Sequence, residues 1–475
     1  MPQAPTSYYW HDYETFGIDP QRDRPAQFAG LRTDADFNPI GEPLLLYCRP
    51  ADDYLPDPGA CAITGISPQK ALAEGVPEAE FARRIHNELS VPGTCALGFN
   101  SLRFDDEFTR NLLYRNFFDP YAREWRDGNS RWDLIDVVRL ARALRPDGIQ
   151  WPQDAEGRPS NRLELLTAAN GIEHGQAHDA LADVHATIAI ARLLRERQPR
   201  LFAFARDHRD KRSAAELLDL RRREALLHVS GRIHSRHANA TLVMPLCKHP
   251  DNPNGVIVYD LREDPAALLS LSAQQLRERV FTSAEALPEG VARVPLKTVH
   301  INKCPVLAPL KVLDAASRER IGIDVDAALA HRDAILAADD PTARVRAALG
   351  ARDLPPIRDP DRMLYAGGFF SDADRQRMAE LRSLPAEALG DAPLVFDDPR
   401  IGEMLFRYRG RNYPQTLRAE EAARWAEYRR ARLLEGADGA RSLDEFRSAL
   451  ASTELPAALA AELADYADEL QSSLA

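Results

Sequence analysis

Two carboxylates stand two residues apart near the start of the chain, Asp12 and Glu14 in the run YYWHDYETFGIDP. The aromatics around them, Tyr8, Tyr9, Trp10, Tyr13 and Phe16, favour a β-strand, in which residues i and i+2 point to the same face. Two like charges held side by side in a half-buried place repel each other and lose hydration, so the pair demands a compensating charge. The spacing alone says little, because the same D-x-E recurs at Asp105–Glu107 and Asp154–Glu156.

Two further stretches give it weight. LGFNSLRFDDEFTR runs from a short apolar strand, Thr94–Asn100, into Asp105 at the start of a helix. An acid there answers the helix dipole, a plain role for which Asp106 is the better candidate. HGQAHDALADVHAT places His178 in the loop before a helix and Asp183 on its first turns, where either residue alone is most often structural. Taken together, Asp12, Glu14, Asp105 and Asp183 come from three elements of one α/β region. If they converge they form an oxygen-ligand site for two Mg²⁺ or Mn²⁺ ions. Such ions, about 3.5–4 Å apart, activate a water and stabilise the leaving oxygen in phosphodiester hydrolysis. A neutral His178 then serves as general base. The cations are the charge that the paired acids lack.

The elements that must position these groups follow from periodicity. YYWHDYETF, PAQFAGLRTD, GEPLLLYCRP and TCALGFN read as strands, and DDEFTRNLLYRNFF and DALADVHATIAIARLLRER as helices. In the second helix Leu181, Val184 and Ile188 mark the apolar face and Asp179 is the candidate N-cap. The expected fold class is α/β with a mixed sheet over residues 1–195. RQPRLF, 197–202, reads as a linker, and RSAAELLDLRRREALLH as a helix. LHVSGRI, NATLVMPL and NGVIVYDL then suggest a small β-rich module over 199–352. RDLPPIRDPD, 352–361, reads as a second linker before a helical region over 355–475.

Composition sets the frame. A chain of 475 residues with 44% hydrophobic and 28% charged residues is an ordinary globular protein of two or three domains. No apolar stretch approaches the roughly 20 residues that span a membrane, and MPQAPTSYYW shows no secretory signal. Five scattered cysteines form no CxxC pair, so neither a zinc site nor a disulfide framework is expected, and the cytoplasm fits best. The net charge of −11 does not exclude a polyanion partner, which needs only a local basic surface.

The ordered motifs DYE, NSLRFD and HDALAD resemble those of the DEDDh exonucleases in the DnaQ-like, ribonuclease-H-like superfamily; the H-x4-D spacing marks the His subclass. Longer stretches, among them HDYETFGIDP, NSRWDLIDVVRLARALRPDGI, VHINKCPVL and GFFSDADR, resemble bacterial exonuclease I over nearly the whole chain. LYAGGFF departs from that family's pattern by one extra glycine. The resemblance implies a ribonuclease-H-like exonuclease domain, an SH3-like middle domain and a helical C-terminal domain. It implies processive, metal-dependent 3′→5′ degradation of single-stranded DNA to 5′-mononucleotides, acting in DNA repair and recombination. Asp12 would bridge two Mg²⁺ ions (Mn²⁺ substituting), Glu14, Asp105 and Asp183 would complete their coordination, and His178 would deprotonate the water. Arg162 would meet a backbone phosphate. The expected partners are single-stranded DNA and the acidic C-terminal tail of single-stranded DNA-binding protein; a monomer and no membrane association are expected.

Single-strand binding needs basic residues interleaved with aromatic faces. From Arg110 to Arg139 the chain interleaves them. Arg110, Tyr121, Trp125 and Arg139 are the expected contacts, while Phe117 and Trp132 read as core. Arg293, Lys297, His300 and Lys303 extend the strip, and Tyr365, Phe369, Phe370 and Arg375 add to it. Two other readings compete: an RNA-trimming or proofreading exonuclease, whose known kinds are much shorter, and an inactive single-strand-binding scaffold, which the five filled catalytic positions disfavour.

Overall fold

Alternation along the first strand, β1 (Ser7–Thr15), organises everything packed around it. In the computed structural model, which describes residues 5–175, 179–350, 356–391 and 393–474, Tyr9 and Tyr13 join Phe28, Phe81, Ile85, Leu89 and Leu112 in one core. Phe81, Ile85 and Leu89 lie on the helix Glu78–Leu89, and Leu112 on the helix Asp105–Arg115. The alternate row begins with Tyr8 and Trp10, whose rings stand edge-on to Phe37 at 5.3 and 5.1 Å. Trp10 Nε1 donates to Thr33 Oγ1 at 2.8 Å. Asp12 and Glu14 continue this second row, as residues of even number must.

β1 pairs antiparallel with β2 (Pro25–Thr33) and parallel with β4 (Thr94–Gly98). With β3 (Leu44–Tyr47) and β5 (Ser130–Asp133) the order is β3-β2-β1-β4-β5, the mixed sheet expected. The parallel pairing ends at Trp10 and Leu97, so Asp12 and Glu14 project beyond the carboxyl end of β4. A Cβ on Gly98 would lie 2.5 Å from the His11 carbonyl oxygen, so only glycine lets β4 end against β1 at this point.

The chain divides into two compact units that do not follow chain order. One comprises Ala4–Arg131, His174–Ile188 and Pro355–Ala475; the other comprises Trp132–Glu173 with Ala189–Leu354. In the first unit, Phe16 and Tyr54 share a core with Leu443, Phe446, Leu463, Tyr466 and Leu470 from the last two helices, Leu443–Ser452 and Ala457–Ser472. Tyr54 donates its hydroxyl to the Phe16 carbonyl at 3.1 Å, and Tyr466 donates to the Tyr54 carbonyl at 3.1 Å. Asp53 is fully buried beside them. It accepts from Arg411 Nη2 at 3.0 Å and pairs with Arg432 Nε at 3.2 Å. Burial alone would push the Asp53 carboxyl up, but Arg411 and then Arg432 outweigh it and hold the group well below the usual range.

The second unit carries an antiparallel sheet in the order β10-β6-β7-β8-β9, formed by β6 (Leu226–Val229), β7 (Ala240–Lys248), β8 (Gly255–Asp260), β9 (Leu296–His300) and β10 (Val306–Pro309). Two sequence expectations change here. RQPRLF is not a linker: Pro199 opens the helix Pro199–Asp207, a position where proline's fixed φ is tolerated, and Phe202 packs on Trp132 at 5.2 Å. The helix read into RSAAELLDLRRREALLH shortens to Lys211–Leu217, and Arg223, at φ +49, takes the backbone out of helix before β6. Part of the second expected linker, 352–355, lies outside the described residues. Among the described residues no helix is long and apolar enough to cross a membrane.

Removing one partner of a buried ion pair leaves an uncompensated charge that costs about 3–5 kcal/mol. Arg411→Met is therefore expected to lower unfolding free energy by about that much. Urea denaturation of the purified protein checks it, and a loss under about 1 kcal/mol would contradict the assignment.

Candidate active site

Three of the four carboxylates expected to converge do so. Asp12, Glu14 and Asp183 each offer an oxygen, and these atoms all lie within 4.8 Å of one another. β1 supplies the first two on one face. Asp183 comes from the helix Ala180–Arg197, whose start is capped by Asp179 Oδ1, accepting from Leu181 and Ala182 N–H at 3.1 Å each. Val184 and Ile188 are buried beneath it as expected, and Leu181 is half-buried. Gln27, opposite Glu14 in the β1–β2 register, accepts from Ala180 N–H at 3.2 Å. One buried amide side chain thus ties the strand beside Glu14 to the helix that presents Asp183.

Asp105 stands beside this trio, not within it. Its Oδ1 accepts from the Tyr13 backbone N–H at 3.0 Å, a donor left over because β4 has already ended. Thr109 Oγ1 donates to the Asp105 carbonyl at 2.8 Å and lies 3.1 Å from the Tyr13 hydroxyl, fixing the helix against the strand. Asp106 is not the helix-dipole residue the sequence suggested. It is the centre of a buried ion cluster, accepting from Arg123 and Arg131 at 2.7 Å each.

The electrostatics separate the two kinds of acid. Burial pushes the Glu14 carboxyl up to about 8, and Asp183, Asp105 and Asp179 add to the shift. Asp12 is raised well above its ordinary value by burial, then by Asp105, Glu14 and Asp183. For Asp106, burial is outweighed by Arg123 and then Arg131, which hold it far below the usual range. Arginines lower Asp106, whereas neighbouring acids raise Asp12 and Glu14. An all-oxygen donor set of mutually repelling carboxylates suits a hard divalent cation.

Two histidines flank the trio differently. His11 is next to Asp12 in sequence but on the opposite face of β1, packed near Phe28, and burial pushes its ring down to about 4. His174 belongs to none of the motifs DYE, NSLRFD and HDALAD, and its Nε2 lies 2.6 Å from Asp183 Oδ1. Only the fold brings that loop back onto the helix, and no motif spacing marks it. His178, the expected base, lies outside the described residues.

The expected DNA contacts are mixed. Arg110 is buried, and its guanidinium is taken up by Glu124, Glu107 and the Tyr365 hydroxyl. It therefore serves an internal cluster, and the expectation of an open phosphate contact is corrected. Its guanidinium lies 5.3 Å from the half-buried Tyr121 ring, which meets Phe369 edge-on at 6.0 Å. Phe369 is 83% exposed, Trp125 64% and Tyr365 53%. Phe117 and Trp132 are core, as read from the sequence. In the other unit, Arg139 pairs with Asp136 at 2.6 Å, Arg162 is exposed and pairs with Glu164 at 2.5 Å, and Lys303 is half-buried.

A carboxyl raised by folding binds a proton that the unfolded chain has lost, so its contribution to stability falls as pH rises from about 4.5 to about 8 at Glu14. In EDTA, melting temperature is expected to decline over that window, and Glu14→Gln to flatten the decline. Equal slopes for both proteins in thermal melts would contradict the burial of a shared negative charge.

Three family profiles match successive parts of the chain. A family profile described as "Exonuclease" matches residues 9–191, one described as "Exonuclease I SH3-like domain" matches 209–350, and one described as "Exonuclease I C-terminal domain" matches 358–470. The chain is 50% identical over 431 residues to exodeoxyribonuclease I of Escherichia coli K12, covering 90% of this chain and 89% of that protein. Exonuclease I from the moderately thermophilic Methylocaldum szegediense superposes with a TM-score of 0.93 at 54% identity, over 98% and 99% of the two chains. E. coli exonuclease I in complex with a dA16 oligonucleotide gives 0.93 at 47%, over 98% and 100%. A zinc-bound E. coli exonuclease I–single-stranded DNA complex and an SSB/exonuclease I structure with an inhibitor are similar at TM-scores of 0.92 and 0.87.

Proposed function

Because the chain belongs to the exonuclease I family, we propose that it removes nucleotides from the 3′ end of single-stranded DNA. We place the reaction at Asp12, Glu14 and Asp183. The observation that carries this reading is the trio of converging carboxylates, Glu14 buried and Asp12 and Asp183 half-buried, in which neighbouring acids raise Asp12 and Glu14. Bound Mg²⁺ would supply the positive charge that activates a water and steadies the departing oxygen.

The chain's own residues do the rest. Asp12 and Glu14 present their oxygens from one strand face, and Asp183 closes the set from the helix. Asp105 holds Tyr13 N–H, keeps β1 in place and adds negative charge to the site. His178, five residues before Asp183, takes the proton of the attacking water. Phe369, Trp125 and Tyr365 offer exposed rings for base stacking, which is tolerant of sequence and suits an enzyme that moves along a strand. Arg162, exposed on its own unit, and Lys303 are the residues we assign to backbone phosphates. The E. coli dA16 complex supports the single-strand substrate, and the SSB complex supports an SSB partner, engaged through its acidic tail. A cytoplasmic, monomeric enzyme of DNA repair fits this reading.

The test uses single strands blocked at either end, with Mg²⁺ or with EDTA. Release of 5′-mononucleotides from the 5′-blocked strand alone, stopped by EDTA, is expected. Asp12→Ala is expected to abolish hydrolysis while keeping single-strand binding; full activity in that variant overturns the assignment. Phe369→Ala is expected to weaken single-strand affinity by about 1–3 kcal/mol, the worth of one stacked base, read by fluorescence anisotropy in EDTA.

A further inference from the structure

His174 is almost enclosed, with 8% of its side chain exposed, and its Nε2 sits 2.6 Å from Oδ1 of Asp183. A carboxylate ligand can only accept, so the imidazole donates through Nε2–H, and a neutral ring suffices. Asp183 lies in the first turn of its helix, with its backbone carbonyl taken by Thr187 Oγ1 at 2.8 Å. That bond anchors the main chain of the helix, and the hydrogen bond from His174 Nε2 holds the side chain at Oδ1.

We propose that His174 is a positioning residue for the exonuclease site. By holding Oδ1 of Asp183, it fixes the carboxylate in the orientation that meets Asp12 and Glu14. The inference rests on the metal reading given above and adds an outer partner to the ligand set. Groups that orient metal ligands from behind typically cost 10–100-fold in metal affinity when removed. A His that merely latched its loop to the helix would change folding and leave metal affinity alone.

The test titrates Mn²⁺ into the full-length protein, following free Mn²⁺ by electron paramagnetic resonance, with thermal melts in EDTA alongside. His174→Phe keeps the ring's bulk without a donor, and His174→Asn places its amide too short to reach. Both are expected to weaken Mn²⁺ binding by about tenfold or more. His174→Gln, whose amide nitrogen reaches the Nε2 position, is expected to restore affinity close to that of the wild type, with melting temperatures unchanged across the set. Wild-type affinity in the Phe and Asn variants, or failure of Gln to restore it, overturns the inference. Asp12→Ala separates the two levels. If the wild type takes up no more Mn²⁺ than Asp12→Ala, the metal reading falls and this inference with it. If the wild type binds and the Phe and Asn variants bind equally, only the role of His174 falls.

Discussion

The structure depends on keeping three negative charges together where water is scarce. Burial and the neighbouring acids, Asp183 and Asp105 among them, raise the proton affinity of Asp12 and Glu14. Elsewhere the same fold neutralises buried acids with arginines: Asp106 by Arg123 and Arg131, Asp53 by Arg411 and Arg432. The contrast turns a crowded acid cluster into a site. Much of the surrounding architecture maintains it. β1 outruns β4, Gly98 lets the two strands meet, Asp105 takes the leftover Tyr13 donor, and Gln27 docks the helix that brings Asp183.

What the sequence made legible was local parity and chain order. Even-numbered residues of β1 share a face, so the partnership of Asp12 and Glu14 followed from strand geometry once the aromatics marked a strand. Asp183 at a helix start followed from periodicity, and its convergence with β1 from the ordered motifs. What stayed hidden were side chains whose partners are set by tertiary packing. Arg110 looked like a basic contact, but Glu124 and Tyr365, 14 and 255 residues away, enclose it. Asp105 looked equivalent to the other ligands, yet a backbone donor exposed by the end of β4 claims one of its oxygens. His174 carried no motif at all. Pro199 read as a breaker and proved to be a helix start, because proline fits the first turn as well as it fits a linker.

A chain with net charge −11 that engages a polyanion must use its cations sparingly. Many of its arginines are committed to internal pairs, and the exposed surface near Tyr121 is aromatic more than basic. Phe369, Trp125 and Tyr365 present exposed rings, and stacking on such rings is tolerant of base identity.

The Tyr466–Tyr54 hydrogen bond spans 412 residues. The core around Phe16 is completed only by the final helices, so the segment carrying Asp12 and Glu14 leaves the ribosome long before its packing partners exist. At about 5–20 residues per second that interval is roughly 20–80 s. During it the aromatic segment around Phe16 lacks its packing partners, which arrive only with the helices Leu443–Ser452 and Ala457–Ser472.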